Sequence, residues 1–411
     1  MNIASDFQPV GVSSEEIYDH LKLARENEPI FFSETFNCWV ITHYEDVVSI
    51  VMNPKDFITD GALNGLNDNY CEKSNKIIEK GIDWRIVHHL QNTEGDDHTR
   101  VRDLVQKIIS PDRVKRMEPL IRRITVELVD KMLESNKCEF VTSFSYPLPV
   151  LTIFRIIGFD ESKEDMPLLQ RWSDNTLRLF LAPMEEEEEV QCAKDAIAFQ
   201  EYIREKIVDC RKNPKNDLLT DLVNEADCGE SNFSDEELIL LFTLNLIGAG
   251  HSTTLVQLSN MFHQLLKDRV RWKAIIDDPT LIHDTVEEML RFAPATLGWF
   301  RVAASDVDFK GHHFKKGDLI FMSIGSANRD ERKFENAEEF CPVRKDRVRS
   351  MTFTQGKHAC PGSALARMEL YIALEEISRR IPGLRLNTDQ KVVYGPSLAA
   401  RMIPELFVEW D

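Results

Sequence analysis

The sequence predicts a mainly α-helical protein with small β-sheets. Apolar residues recur at helical spacing through most of the chain, and short runs typical of strands lie near both chain ends. No Gly/Ser-rich or Pro-rich linker and no repeat of fixed period interrupts the 411 residues. We therefore expect one domain over residues 1–411, with a β-richer part near 29–43 and 300–325 and a helical body over 45–295 and 362–380.

The segments expected to form strands are rich in β-branched and aromatic residues. Residues 29–43, PIFFSETFNCWVITH, carry a polar SETFN centre between two apolar runs, which predicts a hairpin. Shorter strand-like pieces follow at residues 307–314, 318–322 and 405–409. Residues 59–92 show no helical pattern, and irregular stretches of this length are usually lids or disordered segments, so we expect a functional loop there.

The charge and the cysteines narrow the class of protein. The chain carries 50 Lys and Arg against 69 Asp and Glu, a net charge of −19, which argues against a nucleic acid or an anionic membrane as main partner. The N-terminus lacks the basic start and apolar stretch of a secretory signal, and the longest nearly apolar run, residues 238–250, is too short to cross a bilayer. The eight cysteines form no CxxC pair. We expect a soluble cytoplasmic protein with reduced thiols, and a monomer.

A long helix is expected from Ser234 to about Asp268. Ser234 and Glu237 have the spacing of a capping box, and no proline follows until Pro279. Residues 248–254 form the weak middle of this helix, because they include Gly248 and Gly250. A glycine inside a helix lowers its stability by about 1 kcal/mol relative to alanine. Two interpretations of this stretch remain open: close packing against a crossing helix, or a flat, bulky group that lies against the helix and meets the hydroxyls that follow.

Glu288 and Arg291 stand three residues apart on a predicted helix that ends at Pro294. At this spacing a carboxylate and a guanidinium lie on one face and can pair within the helix. Exposed pairs of this kind contribute about 0–1 kcal/mol to stability, so the spacing by itself favours a solvated surface pair.

Cys360 is the residue on which the functional interpretation depends. It lies on a loop that carries Gly356 and Gly362 and directly precedes a run of good helix formers. The free N–H groups and the partial positive charge of a helix N-terminus favour the thiolate form of a cysteine placed there. Cys360 is therefore a candidate metal ligand or nucleophile, and the alternative is an inert buried cysteine.

The loop FTQGKHACPG, residues 353–362, resembles the FxxGxxxCxG loop of the cytochrome P450 family of haem-thiolate monooxygenases. Other motifs agree with the family in order and spacing: AGHSTT in the long helix, EMLR at the Glu288–Arg291 pair, HTRVR at 98–102 and RVA at 301–303. The resemblance covers nearly the whole chain. It implies the cytochrome P450 fold, with haem b between the long central helix and the cysteine loop with its helix.

The resemblance assigns roles to individual residues. Cys360 becomes the proximal ligand of the haem iron, and Glu288 with Arg291 becomes the structural pair of the haem-binding core. The residues implied to contact the haem are His98, Arg102, Ala249, Arg301, Phe353, Gly356, His358 and Gly362. The cationic side chains among them offset the charge of the two haem propionates.

The chain departs from the family pattern in the long helix. Members usually carry Asp or Glu directly before the threonine, and this pair supplies protons to bound oxygen, whereas this chain has Ser252 before Thr253. A hydroxyl does not replace a carboxylate as a proton source near neutral pH. The resemblance thus implies a catalytic group of Thr253, Ser252 and His251, completed by water or by a polar group of the substrate.

The resemblance also implies a small, largely apolar substrate. The pocket residues expected from the segments that contact substrates in the family are Gly248, Leu297, Trp299, Phe300 and Leu398. The implied reaction inserts one oxygen atom of O2 into the substrate, as a hydroxylation or an epoxidation in natural-product (secondary metabolite) or lipid metabolism.

Electrons must come from a separate protein, because the chain contains no flavin or iron–sulfur motif. The family's usual donors are ferredoxin or flavodoxin with its reductase. Basic residues could attract such an acidic donor despite the negative net charge: Arg344, Lys345, Arg347, Arg349 and Lys357 near the cysteine, and Arg113, Lys115 and Arg116 elsewhere. A solvated basic face is the alternative interpretation.

Two other functions remain open. Ser252 is compatible with an atypical member of the family that uses peroxide in place of O2 and a reductant. The second alternative is a non-catalytic haem-binding or sensor protein.

Overall fold

A computed structural model describes residues 3–62, 70–159, 164–181, 184–228, 233–344, 349–395, 397 and 399–411. The helices are α1 (Ser14–Asn27), α2 (Tyr44–Val51), α3 (Glu72–Ile78), α4 (Gly95–Ile108), α5 (Pro111–Met132), α6 (Pro147–Ile157), α7 (Met166–Leu181), α8 (Glu186–Lys212), α9 (Leu218–Cys228), α10 (Asp235–Leu240), α11 (Ala249–Lys267), α12 (Arg269–Asp277), α13 (Ile282–Phe292), α14 (Ile324–Ala327) and α15 (Ser363–Arg380). Two π-helical segments, Val141–Ser145 and Leu241–Gly248, and a 3-10 turn, Pro279–Leu281, accompany them.

The strands are short: β1 (Ile30–Ser33), β2 (Cys38–Ile41), β3 (Phe57–Ile58), β4 (Lys137–Glu139), β5 (Trp299–Ala303), β6 (Val307–Phe309), β7 (His312–Phe314), β8 (Leu319–Met322), β9 (Arg385–Leu386) and β10 (Phe407–Glu409). The mainly α fold with small β-sheets that the sequence predicts is confirmed.

The chain divides into two compact units. Unit 1 comprises Met1–Ile58, Glu118–Leu148 and Thr253–Asp411, and unit 2 comprises Thr59–Met117 and Pro149–Ser252. The strands all belong to unit 1, whereas the described part of unit 2 is helical. The expectation of one domain over residues 1–411 stays a prediction.

The largest sheet of unit 1 has the strand order β1-β2-β8-β5-β3. β1 and β2 form the antiparallel hairpin predicted for residues 29–43. β2 pairs in parallel with β8, and β8 pairs antiparallel with β5. Two smaller sheets have the orders β4-β10-β9 and β6-β7. The strands predicted at residues 307–314, 318–322 and 405–409 are therefore confirmed.

A hydrophobic core of unit 1 supports this sheet. Ile320 and Met322 stand two residues apart on β8, so they point to the same face. Val47 and Ile50 stand three apart on α2 and belong to the same buried cluster. Met351, directly before the cysteine loop, is also fully buried in this cluster. The loop that carries Cys360 therefore starts from a rigid, buried position.

Helices α7 and α8 of unit 2 are joined by polar side chains. The carboxylate of Asp195 on α8 accepts hydrogen bonds from Arg171 at 3.1 Å and from Asn175 at 2.6 Å, both on α7. Asp195 is buried, so these bonds satisfy a charge that is shielded from water. They fix α7 against α8 at the positions that face each other.

The expectation of an irregular stretch over residues 59–92 is wrong in part. The segment contains α3, which begins after Cys71, whose thiol accepts a hydrogen bond from the backbone N–H of Ser74. α3 has only 7 residues, which is about two turns. So short a helix shows too few repeats of the apolar spacing to be recognised.

The predicted long helix is present and begins at the predicted capping box. The side chain of Ser234 accepts from the backbone N–H of Glu237, and the carboxylate of Glu237 accepts from the backbone N–H of Ser234. The helical run continues over Asp235–Lys267, 33 residues. Its first half differs from the expected α-helix, because Leu241–Gly248 is π-helical, with hydrogen bonds that span five residues instead of four.

This helical run is also the one in the described residues that is long and apolar enough to cross a bilayer. The sequence argument considered residues 238–250 alone, and the helix is longer than that run. Its most apolar window is 72% buried inside the protein. Burial among other helices accounts for the apolar composition.

Candidate active site

The cysteine loop, residues 353–362, is closed by its own hydrogen bonds. The backbone N–H of Cys360 donates to the carbonyl of Phe353 at 2.9 Å. The hydroxyl of Thr354 donates to the carbonyl of His358 at 3.2 Å. These bonds fix the backbone on both sides of Cys360, while Cys360 itself is exposed.

Gly356 is required both by its backbone angle and by its neighbours. Its φ of 72° lies in the left-handed region, which favours glycine. A β-carbon at this position would lie 3.1 Å from the carbonyl oxygen of Val51 and 3.1 Å from the sulfur of Met52, at the end of α2. The backbone of the loop therefore lies close against the end of α2.

The cysteine loop runs directly into α15, whose N-cap is Gly362. A β-carbon on Gly362 would lie 3.9 Å from the sulfur of Cys360, so the sulfur lies beside the start of the helix. The N–H groups at a helix start have no partner within the helix and attract negative charge. A thiolate is stabilised at this position.

Arg367 on α15 connects the cysteine loop to α13. Its guanidinium carbon lies 4.5 Å from the ring centre of Phe353, and its Nε donates to Glu287 at 2.6 Å. The hydroxyl of Tyr371 donates to the same carboxylate at 2.6 Å. Burial by itself would raise the pKa of Glu287, but the bonds from Arg367 and Tyr371 hold that pKa below its usual value. The contact of Arg367 with Phe353 was not predicted, because no rule of spacing links the two residues.

Glu288 and Arg291 of α13 form the expected ion pair. Arg291 Nε donates to Oε2 at 2.9 Å and Nη2 donates to Oε1 at 2.7 Å, so the pair is bidentate. The other guanidinium bonds, at 2.8, 2.8 and 3.0 Å, go to the backbone carbonyls of Asn328, Ala337 and Glu339. Arg291 therefore holds three backbone carbonyls against the buried face of α13.

A second pair of the same spacing shows why the motif by itself is a weak signal. Glu201 and Arg204 on α8 also stand three apart, with 3.4 Å between Oε2 and Nε and side chains 54% and 37% exposed. The side chains of Glu288 and Arg291 are 4% and 3% exposed. Burial and backbone partners, which the spacing does not reveal, separate the structural pair from an ordinary surface pair.

Arg344 is the third charged member of the buried pair. Its Nε donates to Glu288 at 2.9 Å, and its side chain is 10% exposed. The sequence analysis placed Arg344 in the exposed basic group that would attract an electron donor. That expectation is wrong for Arg344, because its guanidinium is occupied inside the protein. Of the remaining group, Arg349 and Lys357 are exposed, and Lys345 and Arg347 lie outside the described residues.

Helix α11 exposes one face near its start. Thr253 is exposed and Ala249 is half-buried, whereas the residues that follow Thr253 are buried up to Lys267. Ala249 and Thr253 stand four apart and share a face. This exposed face fits the interpretation in which a flat group lies against the helix.

Close packing explains Gly248, at the end of the π-helical segment. A β-carbon there would lie 3.0 Å from the side chain of Leu177 on α7 and 3.0 Å from the carbonyl oxygen of Thr243. The two interpretations of the weak middle therefore apply to different residues. Gly248 permits a close approach of α7, and Ala249 with Thr253 forms the exposed face.

His251 points away from the face of Ala249 and Thr253, because residues two apart on a helix lie on nearly opposite sides. Its Nδ1 lies 2.7 Å from the carbonyl oxygen of Ile247, and its Nε2 lies 3.2 Å from Oδ1 of Asp174 on α7. His251 was expected at the site from the sequence, whereas Asp174 was not. Only the packing of α7 brings these residues together, since 77 positions separate them.

His98 and Arg102 lie one turn apart on α4, as their spacing predicts. His98 is buried, and Arg102 is half-buried. The helix begins after Glu94, whose carboxylate accepts from the backbone N–H of Thr59 at 2.6 Å and from its hydroxyl at 2.8 Å. This contact fixes the first turn of α4, from which His98 projects.

Strand β5 carries Arg301 and two of the expected pocket residues. Arg301 is buried, and its Nη1 donates to the carbonyl of Phe300 at 2.8 Å. Trp299 and Phe300 are consecutive, so their side chains point to opposite faces of the sheet. The ring of Phe300 is fully buried with its centre 5.0 Å from that of Phe321. Only one of Trp299 and Phe300 can therefore face a common pocket.

The other expected pocket residues differ in their surroundings. Leu297 is fully buried, and its backbone carbonyl accepts from the N–H of Gly325 at 2.8 Å. Gly248 packs closely against α7, as described above. Leu398 lies outside the described residues.

Comparison with known proteins identifies the family. A sequence model described as Cytochrome P450 matches residues 36–381. The polyketide biosynthesis cytochrome P450 PksS of Bacillus subtilis is 32% identical over 370 residues, which covers 88% of this chain and 87% of the relative. A steroid C26-monooxygenase of Mycobacterium tuberculosis is 35% identical over 297 residues, which covers 72% of this chain and 78% of the relative. A solved structure of cytochrome P450 CREJ in complex with (4-ethylphenyl) dihydrogen phosphate matches with a TM-score of 0.91 and 30% identity over 100% of both chains.

The chain belongs to the cytochrome P450 family. It is a monooxygenase, an oxidoreductase that acts with incorporation of oxygen, and its family implies a haem cofactor and electrons supplied by redox partners. The residues present fit a haem. The exposed thiol of Cys360 at a helix start can bind the iron, and the buried guanidinium of Arg301 can pair with a propionate carboxylate.

Proposed function

We propose that the protein binds haem b and inserts one oxygen atom of O2 into a small, largely apolar molecule. The reaction is a hydroxylation or an epoxidation, with electrons from a ferredoxin or flavodoxin and its reductase. The observation that carries the proposal is the exposed Cys360, held by backbone hydrogen bonds on a closed loop at the start of α15. A cytoplasmic location and a monomeric state stay predictions from the sequence.

Cys360 is the proposed iron ligand, through its thiolate. With haem bound in this way, electron donation from the sulfur favours cleavage of the O–O bond. Arg301, His358, His98 and Arg102 are the proposed donors to the haem propionates. The remaining proposed contacts with the haem are those of Ala249, Phe353, Gly356 and Gly362.

Glu288 and Arg291 have a supporting role in this proposal. Their bidentate bond and the three carbonyls that Arg291 holds stabilise the segments before the cysteine loop. Arg367 supports the loop from the other side by stacking on Phe353. A rigid loop keeps the sulfur at a fixed position, which a metal ligand requires.

Thr253 is proposed to donate a hydrogen bond to oxygen and thereby to direct the proton that is delivered to that oxygen. Thr253 is exposed although the residues that follow it in the helix, up to Lys267, are buried, and this exposure supports the role. Ser252 next to it can relay a proton through its hydroxyl but cannot store one near neutral pH.

The proposed substrate class rests on the relatives and on the apolar character of the expected pocket. Of the two relatives described above, one is named for polyketide biosynthesis and the other is named as a steroid C26-monooxygenase. Trp299 and Leu297 would add apolar surface to a pocket. We propose a lipophilic natural product or a lipid as substrate.

Ser252 favours a second candidate function, a peroxide-driven oxidation that needs no external proton for O–O cleavage. Both functions are tested by incubating the purified protein with a panel of polyketides and steroids under 18O2. We expect 18O in the product only when ferredoxin, its reductase and NAD(P)H are present. Product formation with H2O2 and none with 18O2 and reductant would replace the proposal by the second candidate. No product in either case would favour a non-catalytic haem protein.

A further inference from the structure

The fold brings a carboxylate to the long helix at the point where the sequence lacks one. Asp174 of α7 and His251 of α11 are in contact, with 3.2 Å between Oδ1 and Nε2. His251 directly precedes Ser252, the position that carries Asp or Glu in the family. Tertiary structure therefore brings a carboxylate to the residue that precedes this position, although the helix sequence itself contains none there.

Both ring nitrogens of His251 face oxygen atoms. Nδ1 faces the carbonyl oxygen of Ile247 at 2.7 Å, and a carbonyl can only accept. Nε2 faces the carboxylate of Asp174, which also accepts when it is ionised. Both bonds form only if the imidazole carries two N–H groups or if Asp174 carries a proton. The geometry therefore offers a place for one proton more than a neutral histidine beside an ionised aspartate carries.

The position of the pair suits proton uptake from solvent. The side chain of Asp174 is 40% exposed, whereas that of His251 is 2% exposed. Asp174 can therefore exchange protons with water while His251 faces the protein interior. Arg178, one turn further along α7, also interacts electrostatically with Asp174, and Glu188 of α8 pairs with Arg178.

The position of the pair also suits proton release toward the hydroxyls. Successive residues of a helix are rotated by about 100°, so Ser252 lies between His251 and Thr253 around the helix. Neighbouring side chains on a helix do not touch directly, and a water molecule bridges such a gap with little loss of hydrogen-bond energy.

We propose that Asp174 and His251 form the proton reservoir of the reaction and replace the acid that Ser252 displaces. This inference rests on the proposed function. His251 Nε2–H gives its proton through water to Ser252 Oγ, Ser252 passes its own proton toward Thr253 and oxygen, and Asp174 returns a solvent proton to Nε2. For each O2, two such protons and two electrons from the external redox protein convert one substrate C–H into C–O–H and release one water.

The first test measures the proton itself and requires no turnover. Histidine labelled with 15N is incorporated into the holoprotein, and NMR reports the protonation of the His251 ring. We expect both ring nitrogens to carry protons in the wild type, and the Asp174→Asn variant to show one proton, on Nδ1. A wild-type His251 with a single N–H and an ionised Asp174 carboxylate in the infrared spectrum would overturn the proposal.

The second test measures coupling, the product formed per electron pair. With O2 and reductant, Asp174→Asn and His251→Gln should lower coupling by about tenfold and raise the solvent deuterium isotope effect, because general acid groups of this kind contribute at least that much. Turnover of Asp174→Asn with H2O2 should fall by less than its coupling with O2, because peroxide brings its own protons. The matched control is Asp195→Asn, which loosens the bonds between α7 and α8 without touching His251, and it should keep wild-type coupling.

A rescue experiment separates proton supply from packing. Ser252→Asp restores an acid within the helix, and it should recover coupling when combined with Asp174→Asn. Equal loss of coupling in Asp195→Asn, a loss of peroxide turnover in Asp174→Asn as large as its loss of coupling, or no recovery in the double variant would each overturn the proposal. If the wild type itself forms no product with O2 and reductant, the proposed function fails, and the NMR result still decides the protonation of the pair.

Discussion

At the scale of single residues, His263 on α11 links stability to pH. Burial, together with the charge of Lys267 and against the opposing charge of Glu15, lowers the pKa of His263 to about 4. The ordinary pKa of 6.5 applies in the unfolded chain. Between these two values the unfolded chain binds a proton that the folded protein does not bind. The free energy of unfolding therefore falls as pH decreases through this range, and this contribution is complete below pH about 4.

Replacement of His263 by Gln should weaken this dependence on pH. We expect the loss of unfolding free energy between pH 6.5 and pH about 4 to shrink by up to about 3 kcal/mol, since each pKa unit corresponds to about 1.4 kcal/mol. Urea unfolding at a series of pH values measures the slope, which is independent of any constant cost of the substitution. His313→Gln, in which an exposed ring is lost, serves as control. Equal slopes for His263→Gln and the wild type would contradict the expectation.

The residues recognised from sequence are those that belong to a local motif. Cys360, Gly356 and the Glu288–Arg291 pair lie within short stretches whose spacing carries a physical reason. Asp174 and Arg367 act through contacts between helices that are distant in the chain. No local sequence pattern indicates Asp174 or Arg367, because the packing of α7 and α15 determines which residues they contact.

At the scale of elements, the Glu288–Arg291 pair of α13 stabilises the fold because it is buried, although pairs of the same spacing are common on helix surfaces. Removal of Arg291 leaves Glu288 buried with Arg344 as its remaining charged partner and frees three backbone carbonyls. Arg291→Ala should cost about 3–5 kcal/mol of unfolding free energy, the range for one partner of a buried pair. The exposed pair on α8 provides the control, and Arg204→Ala should cost at most about 1 kcal/mol.

Denaturant unfolding of the two variants, with haem retention scored in parallel, measures this difference. Similar costs for Arg291→Ala and Arg204→Ala would show that burial of the pair does not matter.

The elements themselves were predicted with uneven success. The N-terminal hairpin and the capping box of the long helix carry strong local signals, and both are confirmed. The π-helical segment Leu241–Gly248 was missed, because its apolar residues are compatible with either helix type. α3 was missed because it is too short for its periodicity to stand out.

At the scale of the whole molecule, the fold class followed from the periodicity of most segments, and the family followed from the order of its motifs. The division into two compact units left no signal in composition, since no linker marks it. The net charge of the molecule follows from the sequence without any structural assumption, because it requires only a count of the charged residues. The basic group near the cysteine was less reliable, because Arg344 is taken up by the buried pair.

The most direct test of the bond between Cys360 and haem iron is the absorption spectrum of the reduced protein with carbon monoxide. The protein is produced with ample haem, and the wild type is compared with Cys360→Ser. We predict a sulfur-ligated carbonyl spectrum for the wild type and its loss in Cys360→Ser. A colourless wild type, an imidazole-type spectrum, or an unchanged spectrum in Cys360→Ser would contradict the assignment of Cys360 as the ligand.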